Sequence, residues 1–148
     1  MSLSFYNSLS KKKENFIPIE NGSVRLYTCG PTVYDVAHVG NFRTFIFEDL
    51  LKRFLIYKDY SVTHIMNITD VDDKTISRSI KEGITLSELT QKYTDLFFQD
   101  LTWLKIIPAD TYPKATDHVA EMIEMIQILI EKEFAYLTND NSIFFNIS

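Results

Sequence analysis

One thiol, one imidazole and a cluster of carboxylates are the groups through which this sequence can do chemistry. Cys29, the single cysteine of 148 residues, precedes Gly30 and Pro31, and the run His38-Val39-Gly40-Asn41 follows shortly after. Sulfur is a soft metal ligand. A histidine and a glycine at a helix start, where free N–H groups meet the positive dipole end, favour a phosphate. Further along, Thr69, Asp70, Asp72 and Asp73 form an acidic cluster of the kind that caps a helix or sits in a solvated turn. An arbitrary lone cysteine is most often a buried small hydrophobe. Cys29 differs because it ends a predicted parallel strand beside a chain break, where open α/β sheets place their ligands. One cysteine does not make a metal site by itself, and His38, His64 and His118 show no compact ligand spacing with it.

Positioning these groups calls for an alternation of strands and helices. Residues 24–28 are β-prone with little polar alternation, as in a buried parallel strand. Asn21-Gly22 turns the chain into that strand, and Gly30-Pro31 ends it, because proline has no N–H for a ladder. Over residues 42–57, Phe47, Leu50, Leu51, Phe54 and Leu55 recur at helical spacing, with Glu48, Asp49, Lys52 and Arg53 marking the other face. The β-branched stretch 61–68 completes a strand-helix-strand unit, whose crossover is expected to be right-handed.

The remaining pattern is helical. Residues 71–81 predict a short helix stopping at Glu82-Gly83, with Asp70 its candidate cap. Thr85 and Glu88 have capping-box spacing ahead of a stripe that includes Leu89, Tyr93, Phe97 and Leu101 and must end before Pro108. Trp103 belongs to that helix and reads as core or interface. Residues 119–133 predict another amphipathic helix, with Met122 and Met125 as core fillers. Residues 135–137 and 143–145 look like paired strands. Residues 3–6 are β-prone, and Lys11-Lys12-Lys13-Glu14 reads as a solvated turn.

Composition narrows the class. A hydrophobic fraction of 45% over 148 residues supports a real core in one domain of ordinary size. A formal charge of -5 is not the footprint of a self-sufficient nucleic-acid binder. The lone cysteine excludes an internal disulfide and fits a reducing compartment. No apolar run approaches a membrane span and no secretory signal opens the chain, so a cytoplasmic location is expected.

Three stretches in order, Cys-Gly-Pro-Thr-Val-Tyr-Asp at 29–35, His-Val-Gly-Asn-Phe-Arg at 38–43 and Asn-Ile-Thr-Asp-Val-Asp-Asp-Lys at 67–74, resemble the N-terminal part of the cysteinyl-tRNA synthetases, within the class I aminoacyl-tRNA synthetases. The resemblance runs from about Phe5 to the last residue. It implies the first half of a Rossmann-like α/β nucleotide-binding fold over residues 1–83, and the helical start of an inserted connective region over 84–148. It implies that His38, Gly40 and Asn41 are catalytic, Asn41 standing where many members carry a second histidine. ATP would be bound by Pro31, Thr32, His38, Gly40, Asn41 and Asp70, together with Mg²⁺. Cysteine would be bound by Cys29, Gly30, Thr32, Tyr34 and Thr69, and Arg43 reads as an exposed helix residue.

Cys29 would ligate a substrate-reading Zn²⁺ whose other ligands lie beyond residue 148. The implied reaction is activation of cysteine by ATP to cysteinyl-adenylate and transfer to tRNA(Cys), by a monomeric parent, while the 148 residues alone are expected to be incompetent because the family's lysine-rich second signature is not among them. Two alternatives stay open: a related ATP-dependent cysteine ligase acting on an amino-sugar acceptor, and an inactive truncated paralogue.

Overall fold

In the computed structural model, which describes residues 3–147, the chain opens as a hairpin. Strand β1 (Ser4–Asn7) pairs antiparallel with β2 (Lys12–Asn15). The lysine run expected as a solvated turn is therefore largely the second arm of that hairpin. The reversal falls earlier, with Lys11 at a φ of 55°, and every side chain of β2 is exposed, so the lysines meet water without needing a loop.

Two parallel strands follow, β3 (Ser23–Thr28) and β4 (Ser61–Met66), with Val24 opposite Val62 and Thr28 opposite Met66. Helix α1 (Val39–Tyr57) is the crossover between them. Strand alternation gathers Val24, Thr28, His64 and Met66 on one face, where all four are buried. Residues 109–115 run beside β4 as a third, irregular edge. The Met66 and Ile68 N–H groups donate to the Thr111 and Pro113 carbonyls at 3.1 and 2.8 Å, and the two bridges formed here are parallel. Pro113 has no N–H to return, which keeps this edge from becoming a regular strand.

Helix α2 (Asp73–Glu82) is capped by Asp72, not by Asp70: an Asp72 carboxylate oxygen accepts from the Thr75 N–H at 2.8 Å. It stops at Gly83, whose φ of 69° is the left-handed conformation anticipated there. Helix α3 (Leu86–Trp103) opens on the expected box, with the Thr85 N–H donating to Glu88 at 2.9 Å and the Glu88 N–H donating back at 3.2 Å. A short 3₁₀ turn (Ala115–His118), helix α4 (Val119–Glu131) and a hairpin of β5 (Ala135–Leu137) and β6 (Ile143–Phe145) complete the order. Among the described residues no helix is long and apolar enough to cross a membrane.

The core lies between α1, α3 and β4. Phe97 of α3 meets Phe42 and Phe45 of α1 with ring centroids 6.3 and 5.1 Å apart, and Leu89, Tyr93 and Leu101 extend the same cluster. The division expected between residues 83 and 84 thus falls inside one core, because α3 buries its stripe against α1. Packing changes later: no residue of α4 is buried, and β6 is exposed throughout. Met122 and Met125 are 44% and 65% exposed and do not fill a core, and Trp103 is 74% exposed, which leaves only the interface half of its expected role. The whole chain exposes 11025 Å², against about 7,800 Å² for a folded monomer of 17.3 kDa.

Helix α1 departs from its pattern in the opposite sense. Phe47, Leu50 and Phe54, expected to face the core, are exposed, while Glu48 and Lys52 are buried beside Phe45 and Leu55. The reason is a polar seam under the helix. Lys52 Nζ donates to the Pro108 carbonyl at 2.8 Å and lies 3.6 Å from Asp110, and His64 Nε2 sits 2.9 Å from the Thr28 hydroxyl. Burial first, then the Lys52 charge, holds His64 below the usual imidazole range, with Asp110 opposing. Burial pushes the Glu48 carboxyl up against the pull of the Thr28 hydroxyl.

The signs of these two shifts differ. His64 takes up a proton less readily when folded, so its contribution to stability falls as pH drops below about 6.5 towards its folded value. Glu48 is protonated more readily when folded, so its contribution rises as pH drops from its folded value towards about 4.5. His64→Gln, which keeps a partner for Thr28, should therefore lose less stability than the unsubstituted chain on going from about pH 7 to about pH 5.5, read as the urea midpoint at each pH. An equal loss in both would show that His64 is not the acid-sensitive group.

Candidate functional site

At the C-terminal ends of β3 and β4 the ladder stops, and the two segments stay in contact through a glycine and cross-bonds. Gly30 packs so closely on β4 that a Cβ there would stand 1.8 Å from the Asn67 carbonyl oxygen. Only hydrogen fits. Beyond the Gly-Pro break the chain rejoins its neighbour: the Thr69 N–H donates to the Pro31 carbonyl at 3.0 Å and the Val33 N–H to the Thr69 carbonyl at 3.1 Å, a parallel bridge between Thr32 and Thr69. The chain then crosses to α1, and a pocket of about 480 Å³ lies inside this bend, within the range of small-molecule sites.

Cys29, Gly30, Pro31, Thr32, Tyr34, His38 and Asn41, all expected at the site, line this one pocket. Cys29 is exposed there and belongs to no disulfide. Gly40, Thr69 and Asp70 do not line it. Asp70 is buried, and its two carboxylate oxygens accept from the Thr116 N–H at 2.9 Å and the Thr116 hydroxyl at 2.5 Å, which engages both oxygens in tying down the 3₁₀ turn. Arg43 is exposed, as expected of a helix surface residue.

His38 is the N-cap of α1. Its Nδ1 accepts from the Gly40 N–H at 3.0 Å, and Asn41 answers by accepting from the His38 N–H at 3.1 Å. A Cβ on Gly40 would meet the imidazole at 2.8 Å, so the glycine makes room for this ring. The cap also changes the anion argument. The Gly40 N–H is turned onto the His38 ring and the Asn41 N–H onto the His38 carbonyl at 2.9 Å, so the backbone donors expected to be free are engaged. What faces outward is side chain: with Nδ1 accepting, the ring carries its proton on Nε2, and with Oδ1 accepting, the Asn41 amide keeps its NH₂.

Sequence reasoning passed over two residues here. Lys74, which lines the pocket, places its ammonium over the Tyr34 ring, 5.5 Å from the centroid. Its signal was its position closing the 67–74 run. Asn67 opens the same run and bonds Tyr27, Gly30 and Thr69, and nothing in its residue type marked it out.

The family model described as the catalytic domain of class I (C) tRNA synthetases matches residues 15–148. The cysteine–tRNA ligase of Chlamydia trachomatis serovar D is 56% identical over 148 residues, which are 100% of this chain and 31% of that protein. The cysteine–tRNA ligase of Protochlamydia amoebophila is 51% identical over 146 residues, 30% of its length. The chain thus spans about a third of the length of the curated relatives it matches. Among solved structures, the methionyl-tRNA synthetase of Mycobacterium tuberculosis in complex with methionyl-adenylate superposes with a TM-score of 0.70 at 20% identity, over 78% of this chain and 23% of that one. The LeuRS of an Agrobacterium radiobacter K84 ternary complex gives 0.68 at 21% identity, over 81% of this chain and 16% of that one. At such identities these two show the fold alone, part of a Rossmann-like α/β domain. Taken with the matching model and the aligned ligases, they establish that the chain belongs to the class I tRNA synthetases of the cysteine type.

Proposed function

We propose that these residues form the N-terminal part of the adenylation site of a cysteine–tRNA ligase. In the full-length protein the cysteine carboxylate attacks the α-phosphate of ATP, pyrophosphate leaves, and the cysteinyl group passes to tRNA(Cys). One observation carries the reading: the Cys29 thiol and the His38–Asn41 cap open on the same pocket. Attack on a phosphate needs positioning and charge stabilisation more than a protein nucleophile. His38 Nε2 and the Asn41 amide are donors held by the cap, and they would bind phosphate oxygens as charge builds there. Tyr34, Thr32 and Gly30 would wall the amino-acid side, and Lys74 would add a cation at the rim.

Zinc at Cys29 is part of this proposal only as a ligand set completed from elsewhere. Cys29 contributes one thiol, and among the described residues no three or more of His, Cys, Asp or Glu come together to hold a metal ion. The residues present do not by themselves fit a zinc site, so no step is routed through it. The inserted connective region, expected from residue 84, is better begun after the third sheet edge, beyond which α4 buries none of its residues.

The test is exchange of labelled pyrophosphate into ATP. In the full-length protein it should depend on cysteine, and Cys29→Ser should raise KM for cysteine at least about tenfold while leaving KM for ATP within about twofold. The 148-residue chain should show background exchange only. Cysteine-independent exchange, or an unchanged KM for cysteine in the variant, would refute the assignment.

A further inference from the structure

Between the pocket and β4 sits a half-buried amide that makes three side-chain bonds. Asn67 Oδ1 accepts from the Gly30 N–H at 3.2 Å and from the Tyr27 hydroxyl at 3.1 Å, and its Nδ2 donates to the Thr69 hydroxyl at 3.1 Å. The orientation of the amide follows from chemistry. A backbone N–H only donates, so the oxygen must face Gly30 and the NH₂ must face Thr69. Gly30 is also the residue that cannot move away, since its Cα abuts the Asn67 backbone, and it carries Cys29 on its other side. Thr69 meanwhile is pinned to Pro31 and Val33 through its backbone, so the orientation of its hydroxyl is the freedom left to it. By donating to that oxygen, Asn67 leaves the Thr69 proton free to be given elsewhere.

We propose that Asn67 is a positioning residue for the amino-acid substrate: through one amide it ties Gly30, which lines the pocket beside the Cys29 thiol, to Thr69 behind it. The inference rests on the cysteine-activating reading above and adds to it a residue that does not line the pocket. Two substitutions separate its parts. Asn67→Ala removes all three bonds. Asn67→Asp keeps an oxygen for Gly30 and Tyr27 and replaces the NH₂ with a second acceptor, onto which the Thr69 hydroxyl can turn its own proton, so the tie to Gly30 survives.

The experiment uses the full-length protein and two readouts. Amide hydrogen exchange at Gly30, followed by mass spectrometry, should accelerate about tenfold in Asn67→Ala and stay within about twofold in Asn67→Asp. In cysteine-dependent pyrophosphate exchange, Asn67→Ala should raise KM for cysteine about tenfold with KM for ATP unmoved, a split that general loss of structure does not produce, and Asn67→Asp should leave both within about twofold. Unchanged Gly30 exchange in Asn67→Ala overturns the proposal. So does an unchanged KM for cysteine in Asn67→Ala, or a parallel rise in both KM values. If the unsubstituted protein shows no cysteine-dependent exchange, the functional reading fails, and Gly30 exchange still decides whether Asn67 holds the strand end.

Discussion

Gly30→Ala is expected to destabilise the folded chain by about 3 kcal/mol or more, with the urea midpoint falling and the slope little changed. The added carbon would stand 1.8 Å from a backbone oxygen and 2.9 Å from the Met66 side chain. Met66 could swing aside, but the Asn67 carbonyl is part of the strand end and cannot do so without breaking the Gly30–Asn67 bond and the Thr32–Thr69 bridge beyond it. Gly22→Ala is the useful contrast. Its φ of 75° strains any side chain, yet nothing lies within 4 Å, so it should cost only about 1–2 kcal/mol. If the two variants melt alike, the close approach at Gly30 is not what holds the strands.

His38→Asn should leave stability almost unchanged and lower kcat for cysteine-dependent pyrophosphate exchange in the full-length protein by about 10²–10³-fold. Asparagine is as good an N-cap as this helix could have, so it can take the Gly40 N–H in place of Nδ1. It cannot reach outward with the ring's second nitrogen. His38→Ala would lose the cap as well, for about 1 kcal/mol of additional destabilisation on top of the same kinetic defect. The pair separates the two duties of the histidine. Asparagine retaining full activity would mean that His38 serves only to start α1.

The site was legible because its residues are fixed by backbone events that leave local marks. A Gly-Pro pair ended β3, His38 and Asn41 capped α1, and Thr85 with Glu88 capped α3, each readable over a few residues. What failed to show was whatever depended on partners distant in sequence. Glu48 and Lys52 looked like a solvent face, yet they are buried because Thr28, Pro108 and Asp110 supply polar company that periodicity does not encode. Asp70 looked like a cap or an ATP contact, but Thr116, far along the chain, engages both its oxygens, and Asp72 caps α2 instead. Asn67 was invisible for the same reason, since two of its three bonds reach back to Tyr27 and Gly30.

The apolar outer skin of α1, α4 and the last hairpin sets a rule for how this chain behaves in a test tube. In the 148 residues taken alone, Phe47, Leu50, Met125 and Phe145 leave water only by meeting another body, and such a meeting is a second-order event. The lifetime of these residues as a lone species is therefore a matter of concentration as much as of temperature.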